Sequence, residues 1–459
     1  MYPPYPLTRP QPSPTLFTWT ILALLVWLPL PLGSNRDWAS SLFFVCIGVL
    51  AAIKAAGLLR AGRPLHLPRA AFLPLSLLAV GQLWVLAQWV FGITVDSGET
   101  FRYLLLGLGY TLLYCLVLLE FNSRKKLTLL LTLLVISGTV QAFYGSVIRL
   151  SGSDWVLFGP RSAYGGQGVA TSGTYLNRNH LAGYLEMTIA CGVGLMLAQR
   201  KGTRISLVSL LELLLSNKFL LRLALAIMVI ALVLTQSRMG NTGFFSSLLV
   251  IGGLFMLITR EHRLRNGLIL ASLIAIDVLI LSQYFGLEKL RDRIVETRFE
   301  DVVIEGDVVL RENVDRDDVA KYVLKQFRER PLTGFGAGTF ATSFQKYPGP
   351  EIGKDFDHAH NDYLQFATEF GLIGALPLAY FTLLSFFHAL RALWNQKSRY
   401  RSGIGFGAAM AILALMIHSI ADFNLQIPAN AATFVTMCAV AILASSHPSP
   451  RGRDRPAPE

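Results

Sequence analysis

The amino-acid sequence predicts an all-α polytopic membrane protein with about twelve transmembrane helices. Three observations lead to this class. Hydrophobic residues make up 53% of the 459 residues, charged residues only 15%, and the mean hydropathy is +0.48. Apolar runs of about 18 to 25 residues, the length that crosses a bilayer, recur along the chain. Lysine and arginine are concentrated in alternate connections between these runs.

The positive residues set the predicted orientation. The connection after the second span holds Arg60, Arg63 and Arg69, whereas Thr94 to Thr100, after the third span, holds no lysine or arginine. Positive residues are enriched in cytoplasmic loops, so the N-terminus and the connections after even-numbered spans are predicted to lie inside. The predicted spans lie near residues 16–33, 38–59, 70–93, 101–121, 127–150, 180–199, 219–237, 240–259, 267–285, 363–390, 403–421 and 429–446.

Two predicted periplasmic loops are long enough to carry function. The second is highly charged with both signs mixed, and within it Asp317 to Arg330 has an amphipathic helical pattern that Pro331 ends. This helix is expected to lie on the membrane surface or to cap the bundle. The predicted organisation is spans one to nine at 1–285 with a periplasmic loop at 151–179, a large periplasmic loop at 286–362, spans ten to twelve at 363–446, and a cytoplasmic tail at 447–459.

Three features that suggest other classes of protein have simpler explanations. The net charge of +12 is dispersed among short connections, which indicates membrane topology and not nucleic-acid binding. The four cysteines lie in apolar segments without metal-ligand spacing, so neither a disulfide nor a zinc site is expected. Gly334 to Gly338 lacks the strand and the Lys-Ser/Thr ending of a nucleotide-binding loop, so a tight glycine turn is predicted.

One histidine stands at the outer mouth of the tenth predicted span. His360 follows the long second loop and precedes Asn361 and Asp362. A neutral imidazole, whose usual pKa is about 6.5, accepts a proton from a hydroxyl group at neutral pH. Either Asp357 or Asp362 is expected to orient it. The alternative is that His360 only caps the helix.

An arginine stands at the outer end of the seventh predicted span. Arg238 follows Thr235-Gln236-Ser237 in a tight outer connection, where topology does not favour a positive residue. The planar guanidinium group binds phosphate through two hydrogen bonds and stays charged at any relevant pH. Arg238 is therefore predicted to bind a fixed anion. The alternative is an arginine that anchors the helix end at the membrane surface.

A further cluster ends the first long loop. Asn177, Arg178 and His180 bring several hydrogen-bond donors together at the start of the sixth predicted span. The cluster is expected to assist at the same outer face as Arg238. The alternative is a helix start capped by Asn179.

Ionisable residues within predicted spans are also candidates. His418 and Asp422 lie four residues apart at the end of the eleventh span, which predicts a hydrogen-bonded pair on one helical face or a part of the site. Glu186, Asp277 and Glu369 lie inside predicted spans, where charged residues are usually functional.

Several of these residues belong to sequence elements that occur in a characteristic order. The histidine element is His360-Asn361, nine residues, and then Gly371-x-x-Gly374. The other elements, in chain order, are Asn177 to Leu181, Thr235 to Arg238, Asp315-Arg316 and Pro331 to Phe340. The combination resembles the O-antigen ligase and polymerase superfamily.

This resemblance implies a GT-C-type, inverting, metal-independent glycosyltransferase without a cofactor, in the bacterial inner membrane with its active site facing the periplasm. It implies a glycan on undecaprenyl diphosphate as donor, and lipid A-core or another glycan as acceptor. His360 would be the base, and Arg238 and Arg316 would neutralise the departing diphosphate with help from Arg178. Asn177, His180, Asn361, His418 and Asp422 are supporting candidates.

Other functions stay open at this point. The residues do not separate an O-antigen ligase from an O-antigen or exopolysaccharide polymerase or a protein O-oligosaccharyltransferase. A polysaccharide transporter or flippase would also have about twelve spans, but it predicts functional charges near the bilayer midplane and broken helices. The candidate residues are predicted to gather at one face, which favours an enzyme.

Overall fold

Eleven of the twelve predicted spans coincide with α-helices in the computed structural model of the chain. Among the described residues, nine helices are long and apolar enough to cross a membrane, and the chain is an all-α polytopic membrane protein. The predicted span at 267–285, apart from residue 267, and the predicted tail at 447–459 lie outside the described residues. The structure describes residues 13–62, 64–153, 155–157, 159–164, 171–198, 217–259, 267, 302–304, 307–309, 316–347, 356–395 and 397–446.

The elements are numbered in chain order. The helices are α1 (Leu16–Trp27), α2 (Asp37–Arg60), α3 (Phe72–Val90), α4 (Ser97–Glu120), α5 (Arg124–Ser151), α6 (Arg178–Ala198), α7 (Asn217–Leu234), α8 (Arg238–Ile258), α9 (Arg316–Glu329), α10 (Phe340–Phe344), α11 (Asp362–Leu393), α12 (Arg399–His418) and α13 (Pro428–Ser446). Two short antiparallel hairpins pair β1 (Trp155–Val156) with β2 (Gly159–Pro160) and β3 (Val302–Ile304) with β4 (Asp307–Val309).

Helices α1, α3, α7 and α12 each end at least three residues earlier than the sequence predicts. Helix α1 stops at Trp27 and not near residue 33, because Pro29 and Pro31 follow and a proline has no N–H to donate to a helical carbonyl. Helix α12 stops at His418 and not near residue 421. Asp422 therefore lies in the connection after α12, outside the helix.

Three helices form the centre of the bundle. The apolar windows of α6, α12 and α13 are 94%, 78% and 89% buried, against 11% for α2 at the periphery. Glycines bring α6 and α12 together: a Cβ added at Gly407 would lie 2.7 Å from the carbonyl oxygen of Ala190, and one at Gly194 would lie 2.8 Å from that of Gly403. Small residues permit such close backbone contact in membrane proteins. The ends of these helices are thereby fixed relative to each other.

Helix α11 is broken at Gly371, whose φ of 60° and ψ of 179° are not helical. The segment after α9 fills the break. Leu372 donates its N–H to the carbonyl of Pro331 at 2.8 Å, and Ile373 donates to that of Leu332 at 3.2 Å. A Cβ at position 371 would overlap the backbone of Leu332, so only glycine fits both the conformation and the space.

One end of the bundle gathers the predicted functional residues, and we call it the site end. Helices α6, α8 and α11 begin there and α12 ends there. Helix α9 packs on α11 at this end, because Val319 and Val323 share an apolar cluster with Ala359. The predicted amphipathic helix is therefore confirmed, and it caps the bundle beside the residue that precedes His360.

Candidate active site

Three histidines surround one phenyl ring at the site end. His358 lies flat on Phe423, with ring centroids 4.1 Å apart and an interplanar angle of 18°. His180 and His360 meet the same ring edge-on, with centroids 4.7 and 4.9 Å away. These residues come from the start of α6, the segment before α11 and the connection after α12. The structure thus brings together His180 and His360, which the sequence singled out separately, around a phenylalanine that it did not single out.

The backbone holds His360 in an uncommon conformation. Its φ is +50°, in the left-handed region that non-glycine residues rarely adopt. Asn361 caps α11 by accepting the N–H of Leu364 at 3.0 Å, and its amide donates to the carbonyl of Ile420 at 2.8 Å. Asn361 therefore fixes the backbone next to His360 and ties it to the connection after α12. Backbone strain of this kind is concentrated at active sites and ligand clamps.

The two carboxylates near His360 have different surroundings. Asp362 is 1% exposed, and its Oδ2 accepts the hydroxyl of Ser419 at 2.7 Å and the N–H of Leu425 at 3.1 Å. It therefore joins the start of α11 to the segment after α12. Asp357 is exposed to solvent. The expectation that one of these carboxylates orients His360 stays a prediction.

Asp422 connects the start of α6 to the connection after α12. It is fully buried, and its Oδ2 accepts the side-chain amide of Asn179 at 2.6 Å, while Oδ1 lies 3.6 Å from Nε2 of His180. The residue that caps α6 is Asn177, whose Oδ1 accepts the N–H of Asn179 at 2.8 Å. The alternative of a cap at Asn179 is therefore wrong, because the side-chain amide of Asn179 donates its hydrogen bond to Asp422.

His418 has a different partner from the one that the sequence predicts. Its Nδ1 lies 2.7 Å from Oε1 of Glu186 on α6, and both side chains are fully buried. The predicted pair of His418 with Asp422 on one helical face is wrong, because α12 ends at His418. Glu186 also lies against α8, since a Cβ at Gly240 or Gly243 would come within 3.2 Å of its carboxylate. The pair of Glu186 and His418 therefore packs α6, α8 and α12 together below the site.

Arg238 is the first residue of α8. Gln236 has a φ of 56°, and the hydroxyl of Ser237 caps the helix by accepting the N–H of Gly240 at 3.2 Å. These two features turn the chain sharply and leave the side chain of Arg238 exposed at the site end. A Cβ at Gly240 would lie 2.6 Å from Cβ of Ala182, so the start of α8 is held against the first turn of α6.

Arg178 and Arg316 also begin helices at the site end. Arg178 is the exposed first residue of α6, two residues before His180. Arg316 is the first residue of α9, and its side chain lies outside the described part of the structure. Three arginines therefore begin three helices at the end of the bundle where His360 lies, and a helix start itself favours anions.

A carboxyl group inside α11 organises the glycine turn that follows α9. Glu369 is 1% exposed and accepts the N–H groups of Gly338 at 2.9 Å and Phe340 at 3.2 Å. Gly334, Gly336 and Gly338 have positive φ values, which confirms the predicted glycine turn. The turn does bind an anion through its backbone, but the anion is the protein's own glutamate.

Gln365 links this carboxylate to the histidines. Its amide nitrogen lies 3.0 Å from Oε1 of Glu369 and 3.2 Å from Nδ1 of His358, and its Oε1 accepts the N–H of Ala359 at 3.1 Å. The residues on both sides of position 359 are thereby held in place. Gln365 was not predicted from the sequence, although its spacing of four residues from Glu369 on a helix is a signal for such a pair.

His358 is held in its neutral form. Burial lowers the pKa of its imidazole to about 3, and the nearby His180 and His360 act in the same direction. A neutral His358 can accept a hydrogen bond from Gln365 through Nδ1, which fits the observed contact. Its contacts with Phe423 and Gln365 hold the segment that ends in His360.

A family model described as O-antigen ligase matches residues 223–379. The matched segment contains Arg238, Arg316, His360 and the break at Gly371. No curated protein matches the chain.

Proposed function

We propose that the chain is a membrane enzyme of the O-antigen ligase and polymerase superfamily, whose family model matches residues 223–379, and that it transfers a glycan from undecaprenyl diphosphate to a sugar hydroxyl. The observation that carries the proposal is the position of His360. Its imidazole is held by Phe423 and its backbone by Asn361, at the same end of the bundle as Arg178 and Arg238. We assign this end to the periplasmic side of the inner membrane, as the positive residues in the opposite connections predict.

The proposed reaction is a single displacement. His360 takes the proton of the acceptor hydroxyl while the oxygen of that hydroxyl attacks the anomeric carbon of the donor sugar. The bond from that carbon to the diphosphate breaks, and the diphosphate leaves with the electron pair. Arg238 and Arg316, assisted by Arg178, stabilise its negative charge through bidentate hydrogen bonds. Attack opposite to the leaving group inverts the configuration at the anomeric carbon.

The rival class, a transporter or flippase, predicts broken helices, and α11 is broken at Gly371. In transporters such breaks expose backbone groups that bind substrates or ions. Here the freed groups bind the segment after α9: besides the two bonds at Leu372 and Ile373, Phe335 donates to the carbonyl of Thr368 at 3.0 Å and Gly336 to that of Glu369 at 2.9 Å. Because the freed backbone groups join two segments of the protein, the break supports an enzyme over a transporter.

Reconstitution in proteoliposomes with lipid-linked glycan and a glycan acceptor tests the function. We expect His360→Ala to lower the rate of transfer at least about 100-fold, because general-base catalysis contributes that much. The matched control is His66→Ala, since His66 is exposed in the connection before α3, at the opposite end of the bundle. A His360→Ala enzyme as fast as wild type excludes the mechanism.

We favour an O-antigen ligase, because the His-Asn element and its spacing to Gly371 resemble that branch most closely. An O-antigen or exopolysaccharide polymerase, or a protein O-oligosaccharyltransferase, is the alternative. Glycolipid banding in a deletion strain distinguishes a ligase from a polymerase. Loss of a ligase leaves the acceptor bare and accumulates lipid-linked polymer, whereas loss of a polymerase leaves single repeat units on the acceptor.

A further inference from the structure

A groove of about 380 Å³ lies beside the candidate active site and takes no part in the proposed mechanism. Most of its walls come from α3, α4, α11 and α13. Most of its lining is apolar, with Leu78, Leu106, Leu378 and Phe434 as examples. The volume falls in the range of small-ligand sites, so the groove can hold a hydrocarbon segment but not a whole lipid.

The groove is long and begins next to the catalytic histidine. Its lining residues on α11 extend from Asp362, two residues after His360, to Leu383. This stretch corresponds to roughly 30 Å of helix, which is about the thickness of the bilayer hydrocarbon core. The direction of the groove therefore follows the helices into the membrane, as a lipid chain does.

The mouth of the groove is polar without an unbalanced positive charge among the described residues. Arg102 lies at the mouth, but it pairs with Glu99 at 2.8 Å and with Asp37 at 3.2 Å. Hydroxyl and amide groups complete the mouth, from Ser34, Asn35, Ser40, Ser419 and Gln426. Such groups hydrogen-bond to sugar hydroxyls, whereas a diphosphate requires uncompensated cations.

Neither Arg178 nor Arg238, two of the arginines proposed for the diphosphate, lines the groove. They begin α6 and α8, which pack against α12, whereas α3, α4, α11 and α13 form most of the groove and α12 contributes only Leu415 and Met416. Asp362, two residues after His360, lines the groove. The groove and the two arginines can therefore hold two different lipid-linked substrates near the same histidine.

We propose that this groove binds one hydrocarbon chain of the glycolipid acceptor and presents the acceptor's sugar hydroxyl to His360. The inference rests on the proposed function and adds the acceptor's binding site. The donor's diphosphate is then bound by the arginines at the helix starts, and its prenyl chain lies outside the groove.

A bulky residue in the groove tests this assignment. Ala379 lines the groove and is exposed, so Ala379→Phe obstructs it without disturbing the packed core. The matched control is Ala52→Phe, at an exposed position of α2 that is not part of the lining. Steady-state transfer is measured with an acyl-chain glycolipid acceptor and with the same glycan after removal of its chains.

We expect Ala379→Phe to raise KM for the glycolipid acceptor at least tenfold. The KM for the donor and the transfer to the chain-free glycan stay within twofold of wild type, as all values do for Ala52→Phe. A rise in the donor's KM instead assigns the groove to the prenyl chain and overturns the proposal. Equal kinetics for the two variants also overturn it, because the groove then holds only bulk bilayer lipid.

A binding measurement keeps the test independent of turnover. A glycolipid whose acyl chain carries a diazirine is photolysed with the purified protein, and labelled peptides are identified by mass spectrometry. We expect labels in α3, α11 and α13 of wild type, and at least fivefold less in Ala379→Phe. Preferential labelling of these helices by a diazirine-bearing prenyl diphosphate contradicts the proposal. If no transfer occurs with any donor while glycolipid labelling persists, the proposed function fails, whereas binding of the glycolipid chain in the groove is supported.

Discussion

The imidazole of His358 is stacked on the ring of Phe423 at a centroid distance of 4.1 Å, and this contact joins the loop before α11 to the connection after α12. His180 and His360 meet the same ring edge-on. Phe423 is 8% exposed and follows Asp422, the buried partner of Asn179. One aromatic side chain thus sets the mutual position of the groups to which we assign acceptor activation.

Removing this ring is expected to impair catalysis more than folding. Phe423→Leu deletes three ring contacts, each worth roughly 0.5 to 1.5 kcal/mol, while keeping an apolar side chain. We expect kcat to fall about tenfold or more, with KM for the donor nearly unchanged. The control is Phe387→Leu on α11, because Phe387 is 59% exposed. Equal kcat values for the two variants argue against a positioning role for Phe423.

Gln365 is expected to act through the residues before His360. Gln365→Leu removes the contacts to Glu369, His358 and the N–H of Ala359, so the backbone before His360 loses its support. We expect kcat to fall about tenfold while both KM values change little, as measured by transfer in proteoliposomes. Gln365→Glu can keep the acceptor for Ala359 and should restore part of kcat. A loss that appears only as lower thermal stability points to a purely structural residue.

Arg238 is expected to need its guanidinium group. Arg238→Ala removes a donor from the proposed diphosphate site and should lower kcat about 100-fold or more. Arg238→Lys keeps the charge without the bidentate geometry, so its activity should lie between those of Ala and wild type. Arg222→Ala, at an exposed position near the opposite end of α7, is the control. The interpretation of Arg238 as a mere membrane anchor gains support if Arg238→Ala keeps wild-type kcat.

Gly371 is expected to be indispensable for the joint in α11. Gly371→Ala forces a side chain into a left-handed conformation and against the backbone of Leu332. We expect the free energy of unfolding to fall by at least about 2 kcal/mol, measured by thermal denaturation in detergent. Gly48→Ala on α2 is the control, because a Cβ there meets nothing within 4 Å. A wild-type melting temperature for Gly371→Ala rules out this account of the break.

The neutral state of His358 predicts a pH dependence of stability. Its pKa is about 3 in the folded protein and near 6.5 in an unfolded chain, so between these values only the unfolded state binds the proton. The free energy of unfolding therefore falls as the pH falls, by up to about 2 kcal/mol between pH 7.5 and 5 for this group. In His358→Asn the melting temperature should decrease less over that interval. An unchanged pH dependence would falsify the assignment.

The helices could be predicted from the sequence, whereas the contacts among the candidate site residues could not. Apolar runs and positive connections identify spans because membrane insertion depends on local hydropathy. The spacing from His360 to Gly371 identified both residues, although the function of Gly371 as a joint became visible only through Pro331 and Leu332. The pair of His418 and Asp422 was mispredicted because hydropathy alone does not determine where a helix ends.

By itself, the sequence determined the class of protein, the order of its helices and the residue types available at one end of the bundle. Only the tertiary structure decided the partners: Glu186 for His418, Asn179 for Asp422, the glycine turn for Glu369, and Phe423 for three histidines. The physical reason is the separation along the chain over which each kind of interaction acts. Hydropathy and capping act over a few neighbouring residues, whereas these contacts join residues far apart in the chain, through packing that depends on the whole bundle.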